Sequence, residues 1–268
     1  MMAALFKVMA QLVLLLLLAP LVSGFIKTAK ARLQMRRGPG VLQPYRDLHK
    51  LLRKGMVIPN TASWLFSATP YVVFLATLLA GLMVPMVAAD TPVGLVGGVL
   101  AVFTVAIGAG STNLSQMVAA AIGEQWRFLA PSQVLAFAAL FLVLIAETGR
   151  IPVDNPATHL ELTMIHEAMI LEYSGPYLAL IEWAASIKQL LLMALLINVF
   201  WPFGLPAGWS AGGVAAGAGW LAVKLAVLSA GVVLVETTNA KLRLFRVPEL
   251  MAVAFTLGAL ALISTFLF

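Results

Sequence analysis

Residues 147–175, with the sequence ETGRIPVDNPATHLELTMIHEAMILEYSG, form a polar segment between two apolar runs that we predict to cross a bilayer. The segment contains five of the eleven acidic residues of the chain and two of its three histidines. Only 10% of all residues are charged, and a charge next to hydrocarbon is costly. We therefore predict that this acidic segment is the working surface of the protein. Its acids and histidines are Glu147, Asp154, Glu161, Glu167, Glu172, His159 and His166.

A short helix is predicted inside this segment. Asn155 is a suitable N-cap, and Pro156 suits the first helical position because its missing N–H needs no partner there. The helix should end near residue 171, before a Ser-Gly-Pro sequence. A solvated helix lying on the membrane surface is the plain alternative to a working site. The two histidines are seven residues apart rather than four, so we expect no metal site.

The composition excludes a soluble domain, since 62% of the residues are hydrophobic and the mean hydropathy is +0.99. Repeated apolar runs predict an all-α, polytopic transmembrane protein with about six or seven spans, and 1–268 form one integral membrane domain. The first run, 3–26, is predicted to be a retained span rather than a signal peptide. The chain has no cysteine, which excludes disulfides, thiol catalysis and Fe–S ligation by its own residues.

A basic linker, 27–66, follows the first predicted span. It contains nine of the seventeen basic residues and a single acid, so the positive-inside rule predicts that it is cytoplasmic and that the N-terminus is outside. Arg36 and Arg37 precede a Gly-Pro-Gly turn, and 45–54 have the pattern of a short amphipathic helix. We expect its leucines, Leu48, Leu51 and Leu52, to face the bilayer. The linker either holds lipid head groups or docks a cytoplasmic partner.

The order of the apolar runs predicts the topology. The basic link 236–249 is predicted to be cytoplasmic, and two spans separate it from 147–175, which is therefore predicted to be cytoplasmic as well. Three runs lie between the basic linker and Glu147, where an even number of crossings is required. The glycine-rich run 93–108 is the one we expect not to cross. After 3–26, the runs are 71–89, 93–108, 131–146, 177–200, 212–235 and 251–268.

Several charges lie within or at the ends of these runs. Lys188 and Lys224 fall near the middle of theirs, so both are expected to face the protein interior with a carboxylate or water as partner. Glu147 and Glu236 close their runs. Static ion pairs that fix helix packing are one explanation, and a proton- or ion-conducting path is the one we favour. The sequence contains no nucleotide-binding glycine loop and no hydrolase motif.

Four motifs resemble the complex I subunit 1 family, and most closely its hydrogenase branch, the membrane subunits typified by formate hydrogenlyase subunit 4 and hydrogenase 4 component C. They are ARLQMRRGPGVLQPYRDLHKLL at 31–52, ETGRIPVD at 147–154, EYSG at 172–175 and SIKQL at 186–190. The motifs lie on both flanks of the chain. The resemblance implies a non-catalytic membrane anchor on which a hydrogenase or dehydrogenase module docks, in the cytoplasmic membrane of a prokaryote.

The resemblance also implies roles for individual residues. The family's acidic loop leads into a buried chain of carboxylates and lysines toward antiporter-like subunits. By this match the ion-coupling residues are Glu147, Asp154, Glu161, Glu172 and Lys188, to which Lys224 and Glu236 are added from their places in the runs. The expected partner-docking residues are Arg36, Arg37, Arg46, Arg150 and Tyr173. The nickel–iron site and Fe–S clusters are expected in the hydrogenase large and small subunits and the Fe–S subunits.

One departure from the family is expected in the middle of the chain. Residues 93–98 run directly into 99–102, which resemble the later half of the family's fourth span, so about one crossing and its loop are absent. Three other functions stay open at this point. They are the quinone-chamber subunit of a complex I-like NADH or ferredoxin dehydrogenase, an independent secondary transporter and a purely structural anchor. No internal repeat supports the transporter.

Overall fold

The structure, a computed structural model, describes residues 2–57, 63–84, 86–87, 130–149, 153–154, 170, 172–201, 203–204, 210–238, 242–243 and 247–267. The predicted run at 93–108 and the predicted helix that starts at Asn155 lie outside these residues. The described helices are α1 (Met2–Leu33), α2 (Gln43–Arg53), α3 (Trp64–Met83), α4 (Pro131–Glu147), α5 (Gly175–Phe200), α6 (Ala211–Thr238) and α7 (Val247–Leu267). Two two-residue strands, β1 (Val153–Asp154) and β2 (Leu242–Arg243), pair in parallel.

The predicted all-α membrane architecture is confirmed. Four of these helices, α1, α3, α5 and α6, are long and apolar enough to cross a membrane, and α4 and α7 are shorter apolar helices. A helix satisfies its own backbone hydrogen bonds, which hydrocarbon requires of any spanning segment. Several helices extend past their apolar runs. The first continues to Leu33, inside the predicted linker, and α6 continues to Thr238, so Glu236 is helical rather than part of a loop.

Helix α5 is the centre of the bundle and packs against α1, α2, α3, α4 and α6. Its side chains Ile187, Leu190 and Met193 are completely buried. Between apolar helices in a membrane, close van der Waals packing replaces the hydrophobic effect as the main attraction. Helices α4 and α7 form a second close pair, and Gly258 of α7 lies against Ala139 of α4.

Aromatic rings line the contact between α3 and α5. Phe74 packs against Trp183 with the ring centres 5.5 Å apart, and the indole N–H of Trp183 donates to the carbonyl of Leu16 in α1. Two further pairs lie nearer the start of α5, and they are Tyr71 with Tyr177 and Phe66 with Tyr173. Each such ring pair adds about 0.5–1.5 kcal/mol of stability beyond the contribution of the area that it buries.

The predicted turn at 38–40 folds the chain back along α1. Gly38 lies so close to Ala31 that a Cβ at this position would overlap the alanine side chain, and Thr28 donates a hydrogen bond to the carbonyl of Pro39 at 2.9 Å. The predicted amphipathic helix then follows as α2. The prediction that its leucines face the bilayer is wrong for Leu48, which is buried where α2 packs on α1 and α5, whereas Leu52 is exposed.

The three segments predicted to be cytoplasmic meet at one end of the bundle. The hydroxyl of Ser174 pairs with the backbone of Val57, which joins the acidic segment to the basic linker. The β1–β2 ladder joins the acidic segment to the link after α6. An ion pair between Lys30 and Glu236 joins α1 to the end of α6. These contacts place all three segments on the same side, and which side that is stays a prediction.

Cysteines placed singly in this cysteine-free chain test the arrangement. Gly40→Cys and Glu172→Cys should both resist an impermeant thiol reagent in intact cells and react in inverted vesicles, because both residues lie at the predicted cytoplasmic end. Gly212→Cys, near the start of α6, is the matched control and should react only from outside. A Cβ at Gly40 or Gly212 meets nothing within 4 Å, so neither change strains the fold. Labelling of Gly40→Cys and Glu172→Cys from opposite sides would contradict the fold.

Candidate functional site

Glu147 and Lys188 form the ion pair at the centre of the candidate site. The ammonium of Lys188 donates to the carboxylate of Glu147 at 2.8 Å. Helices α4 and α5 run antiparallel here, since Phe137 of α4 meets Phe200 near the far end of α5 with ring centres 5.5 Å apart. At a rise of 1.5 Å per residue, Lys188 lies about 20 Å along α5 from Gly175. The end of α4 therefore lies beside the middle of α5, and not beside its start.

The exposure of this pair differs from the prediction. The expected carboxylate partner of Lys188 is present, but burial in the protein interior is wrong, because the side chains of Lys188 and Glu147 are 40% and 57% exposed. Helix α4 ends at Glu147, beside the middle of α5. The pair is therefore accessible from outside this chain at mid-height of a helix that is long enough to cross a membrane.

Lys224 has a different kind of partner. Its ammonium donates to the backbone carbonyl of Trp201 at 2.5 Å, and the residue is only 8% exposed. Trp201 is the C-cap of α5, where the last carbonyls carry partial negative charge and attract a cation. The expected interior position is confirmed, and the described partner is a helix end rather than a carboxylate. This geometry favours the static role for Lys224 that the sequence left open.

Glu236 pairs with Lys30 in the last turns of α6. The two charged atoms are 2.6 Å apart, and the carboxylate side chain is 8% exposed against 34% for the lysine. Its second oxygen, Oε2, is buried without a hydrogen-bond partner among the described residues. Sequence reasoning missed Lys30 because it counted this residue as part of a loop, whereas α1 continues past it.

The remaining predicted site residues that the structure describes lie at the end of the bundle where Lys30 pairs with Glu236. Arg36, Arg37 and Arg46 are exposed, as a docking surface requires, and so is Glu172. Asp154 lies in β1 opposite Arg243 of β2. Arg150 and Glu161 lie outside the described residues. In the part of the chain that is described, no three histidine or acidic side chains cluster as a metal-ligand set.

Tyr173 and Tyr45 both serve internal contacts. The ring of Tyr173 stacks on Phe66 with the centres 4.3 Å apart, so this predicted docking residue packs within the protein. The hydroxyl of Tyr45 in α2 donates to the carbonyl of Leu17 in α1. Burial raises the pKa of Tyr45, so its hydroxyl stays protonated and keeps this hydrogen bond. Both contacts hold the linker segments against the bundle.

Ser174 and Gln11 are polar residues whose roles sequence reasoning did not assign. The hydroxyl of Ser174 binds both backbone groups of Val57. The buried amide of Gln11 donates to the carbonyls of Gly81 and Val84 at 2.7 Å each and so satisfies the end of α3. A polar residue in an apolar run was the available signal for Gln11. No local pattern indicates which carbonyls it binds.

Apolar helices that pack round α5, with charged segments gathered at one end, define a multi-pass membrane protein. The family model described as NADH dehydrogenase matches residues 6–101 and 96–267. The chain therefore belongs to this family, the complex I subunit 1 family that its motifs predict.

The named relatives are membrane-complex subunits. The chain is 31% identical over 300 residues to formate hydrogenlyase subunit 4 of Escherichia coli, covering 95% of this chain and 96% of the relative. It is 27% identical over 299 residues to hydrogenase-4 component C of the same organism, covering 94% and 93%. It is also 27% identical over 226 residues to a subunit of the NADH-quinone oxidoreductase of Rubrobacter xylanophilus, covering 65% and 67%. The predicted resemblance to the hydrogenase branch is confirmed.

A solved structure has the same fold. The structure of the membrane-bound sulfane sulfur reductase, an archaeal respiratory membrane complex, contains a chain that matches with a TM-score of 0.77. The two chains are 17% identical, and the match covers 97% of this chain and 99% of the other. This protein is thus a membrane-spanning member of a family whose relatives are subunits of multi-subunit respiratory complexes.

The matches also locate the departure from the family. The two matched segments, 6–101 and 96–267, overlap at 96–101, so the match to the family model is interrupted there. The alignment with formate hydrogenlyase subunit 4 spans 300 residues, more than the 268 of this chain, so the relative contains residues without a counterpart. The interruption falls within the region where the sequence predicts a missing crossing. That the missing piece is a span with its loop stays a prediction.

The two ion pairs should respond differently to loss of a lysine. Lys30→Met strands the buried carboxylate of Glu236 and should lower the free energy of unfolding by about 3–5 kcal/mol. Lys188→Met leaves a Glu147 side chain that is 57% exposed and not buried, so it should cost less than Lys30→Met. Thermal unfolding in detergent measures both, with Lys50→Met on the exposed face of α2 as the control. Equal losses for Lys30→Met and Lys188→Met would contradict the assigned environments.

Proposed function

We propose that this chain is a non-catalytic membrane-anchor and ion-coupling subunit of a membrane-bound nickel–iron hydrogenase in the cytoplasmic membrane of a prokaryote. Similarity to two hydrogenase membrane subunits over nearly the whole chain supports this choice. The relative from an NADH-quinone oxidoreductase covers only 65% of the chain, which favours the hydrogenase over the quinone-chamber alternative. The role links electron transfer in docked subunits to proton or sodium translocation.

The partners follow from what this chain lacks. Without cysteine it has no thiolate ligands for iron–sulfur clusters or for a nickel–iron site. We therefore assign the nickel–iron site to a hydrogenase large subunit, and the clusters to the small subunit and to Fe–S subunits. Antiporter-like membrane subunits would receive the ion-coupling signal within the bilayer. The exposed Arg36 and Arg37, on the turn held against α1, are the docking contacts for the soluble module.

The Glu147–Lys188 pair is the observation that carries the coupling role. The ammonium of Lys188 and the carboxylate of Glu147 are 2.8 Å apart. Protonation of Glu147 breaks the pair and frees Lys188, and re-formation of the pair expels the proton from Glu147. Both side chains are partly exposed, so a docked or neighbouring subunit can reach the pair. A change of charge in such a subunit acts strongly on the pair where the surrounding dielectric is low.

Substitution of the pair tests this role directly. Glu147→Gln and Lys188→Met should each leave an assembled complex that oxidises or evolves hydrogen with an artificial dye. The same complexes in vesicles should build less than about a tenth of the wild-type proton or sodium gradient, since neither variant has the pair that takes up and releases the ion. The matched control is Glu249→Gln, an exposed acid at the start of α7 that has no place in the pair. A normal gradient in both pair variants would overturn the proposal, and loss of assembly would favour static charges.

Docking is tested at the first turn. Arg36→Ala combined with Arg37→Ala should release the soluble module at raised salt while this subunit stays inserted, because charged partners buried in an interface contribute about 2–5 kcal/mol. Lys50→Ala combined with Arg53→Ala, on the exposed part of α2, removes the same charge as a control. An unchanged yield of the complex would show that the two arginines contact lipid head groups and do not dock the soluble module.

Co-purification in mild detergent separates the functions that the sequence left open. A nickel–iron large subunit bound to this chain supports the proposal. An NADH-oxidising module would establish the quinone-chamber alternative instead. A chain isolated without any partner would contradict both.

A further inference from the structure

The hydroxyl of Ser174 makes an unusual pair of hydrogen bonds. It accepts from the N–H of Val57 at 2.9 Å and donates to the carbonyl of the same residue at 3.1 Å. One side chain thus satisfies both backbone groups of a residue that is 117 positions away along the chain. Val57 lies just beyond α2, in the basic linker, and Ser174 lies directly before α5.

The residues on either side of Ser174 contact the same part of the linker. Gly175 has a φ of +57°, and a Cβ there would lie 2.8 Å from the carbonyl oxygen of Lys54. Glycine therefore meets two demands at this position, a left-handed backbone and a close approach to another chain segment. Tyr173 stacks on Phe66, at the start of α3. Tyr173, Ser174 and Gly175 thus contact the linker both before residue 58 and after residue 62.

Ser174 forgoes the usual role of a serine before a helix. Ser63 caps α3 by accepting from Phe66, and Ser210 accepts from the N–H of Gly213 at the start of α6. Ser174 occupies the N-cap position of α5, but its side chain makes no capping hydrogen bond there. The hydroxyl is used on Val57 instead. A capping hydrogen bond normally stabilises the start of a helix. Its replacement by the bond to Val57 indicates that the contact between Ser174 and Val57 has a role of its own.

We propose that Tyr173, Ser174 and Gly175 form a clamp on the linker, and that this clamp sets the position of Lys188 opposite Glu147. The inference rests on the proposed coupling function and deepens it. Lys188 lies on the same uninterrupted helix as Gly175, so a displacement at the start of α5 also displaces Lys188. Glu147 belongs to α4, which packs more extensively on α7 than on α5, so α4 is held mainly by a helix outside the clamp. Ser174 is thus a positioning residue that connects the docking linker to the ion pair.

The first test measures the geometry. The amide of Val57 should exchange its hydrogen at least about tenfold faster in Ser174→Ala than in the wild-type complex, because its acceptor is lost. Ser174→Thr keeps the hydroxyl and should retain the protection. Ser210→Ala, which removes the corresponding serine of α6, should leave Val57 unchanged. Unchanged exchange in Ser174→Ala would show that the clamp does not exist.

The second test measures the position of the pair without using ion movement. Cysteines at positions 147 and 188, in this otherwise cysteine-free chain, should be joined by a bifunctional thiol reagent about as long as the two side chains that it replaces. Adding Ser174→Ala should lower the cross-linking rate by about threefold or more, since α5 then shifts relative to α4, whereas adding Ser174→Thr or Ser210→Ala should not. An unchanged rate with Ser174→Ala would overturn the positioning role, whether or not the complex moves ions.

The third test measures coupling in the complete complex in vesicles. Ions moved per hydrogen molecule consumed should fall to about half or less in Ser174→Ala and return to the wild-type value in Ser174→Thr. If the wild-type complex builds no gradient, the proposed function fails, and the cross-linking rate still decides the clamp. If Ser174→Ala slows cross-linking but leaves the ratio of ions to hydrogen at the wild-type value, the clamp has no part in coupling.

Discussion

The packing of α5 against five neighbouring helices decides where Lys188 of the candidate site lies. Lipid chains are as apolar as leucine side chains, so an apolar helix in a membrane gains little from burial alone and depends on close contact. In α5 this contact is made by completely buried residues such as Ile187 and Met193 and by the ring of Trp183 against Phe74. Lys188 lies between these contacts, so the packing of α5, together with the clamp at its start, fixes the position of Lys188.

Two of the described polar side chains inside the bundle, those of Gln11 and Lys224, serve helix ends. Gln11 binds the last carbonyls of α3, and Lys224 binds the C-cap of α5. Each satisfies backbone groups that would otherwise be costly in hydrocarbon. Lys224 is therefore not paired with a carboxylate in the way that the predicted chain of carboxylates and lysines requires. The pairs Glu147–Lys188 and Lys30–Glu236 join two charged side chains each.

These two pairs differ in what they are suited to do. The carboxylate of Glu236 is buried beside Lys30, where loss of either charge is expensive, so the pair is suited to holding α1 against α6. The Glu147–Lys188 pair is partly exposed and lies at the end of α4, so a neighbouring subunit can reach it. The structure thus separates a buried pair from a partly exposed one, which charge counting does not.

The sequence predicts the helices and the family well, because apolar runs and the four motifs depend on residues that are close in the chain. The two-residue strands are too short for any period to appear. Periodicity shows the hydrophobic face of α2 but not the surface that covers it, so the sequence alone assigns Leu48 to the bilayer. The Lys30–Glu236 pair joins residues 206 positions apart, and the Ser174–Val57 contact joins residues 117 apart. Packing decides such contacts, and no local pattern records them.

Protonation of Glu147 during turnover is the central claim of this account, and infrared difference spectroscopy of the complex tests it most directly. Spectra recorded with and without hydrogen should contain a band from a protonated carboxyl group that disappears in Glu147→Gln and persists in Glu249→Gln. The band should shift in Lys188→Met, because the ammonium no longer competes for the carboxylate. A difference spectrum that is the same in the wild-type and Glu147→Gln complexes would contradict the account.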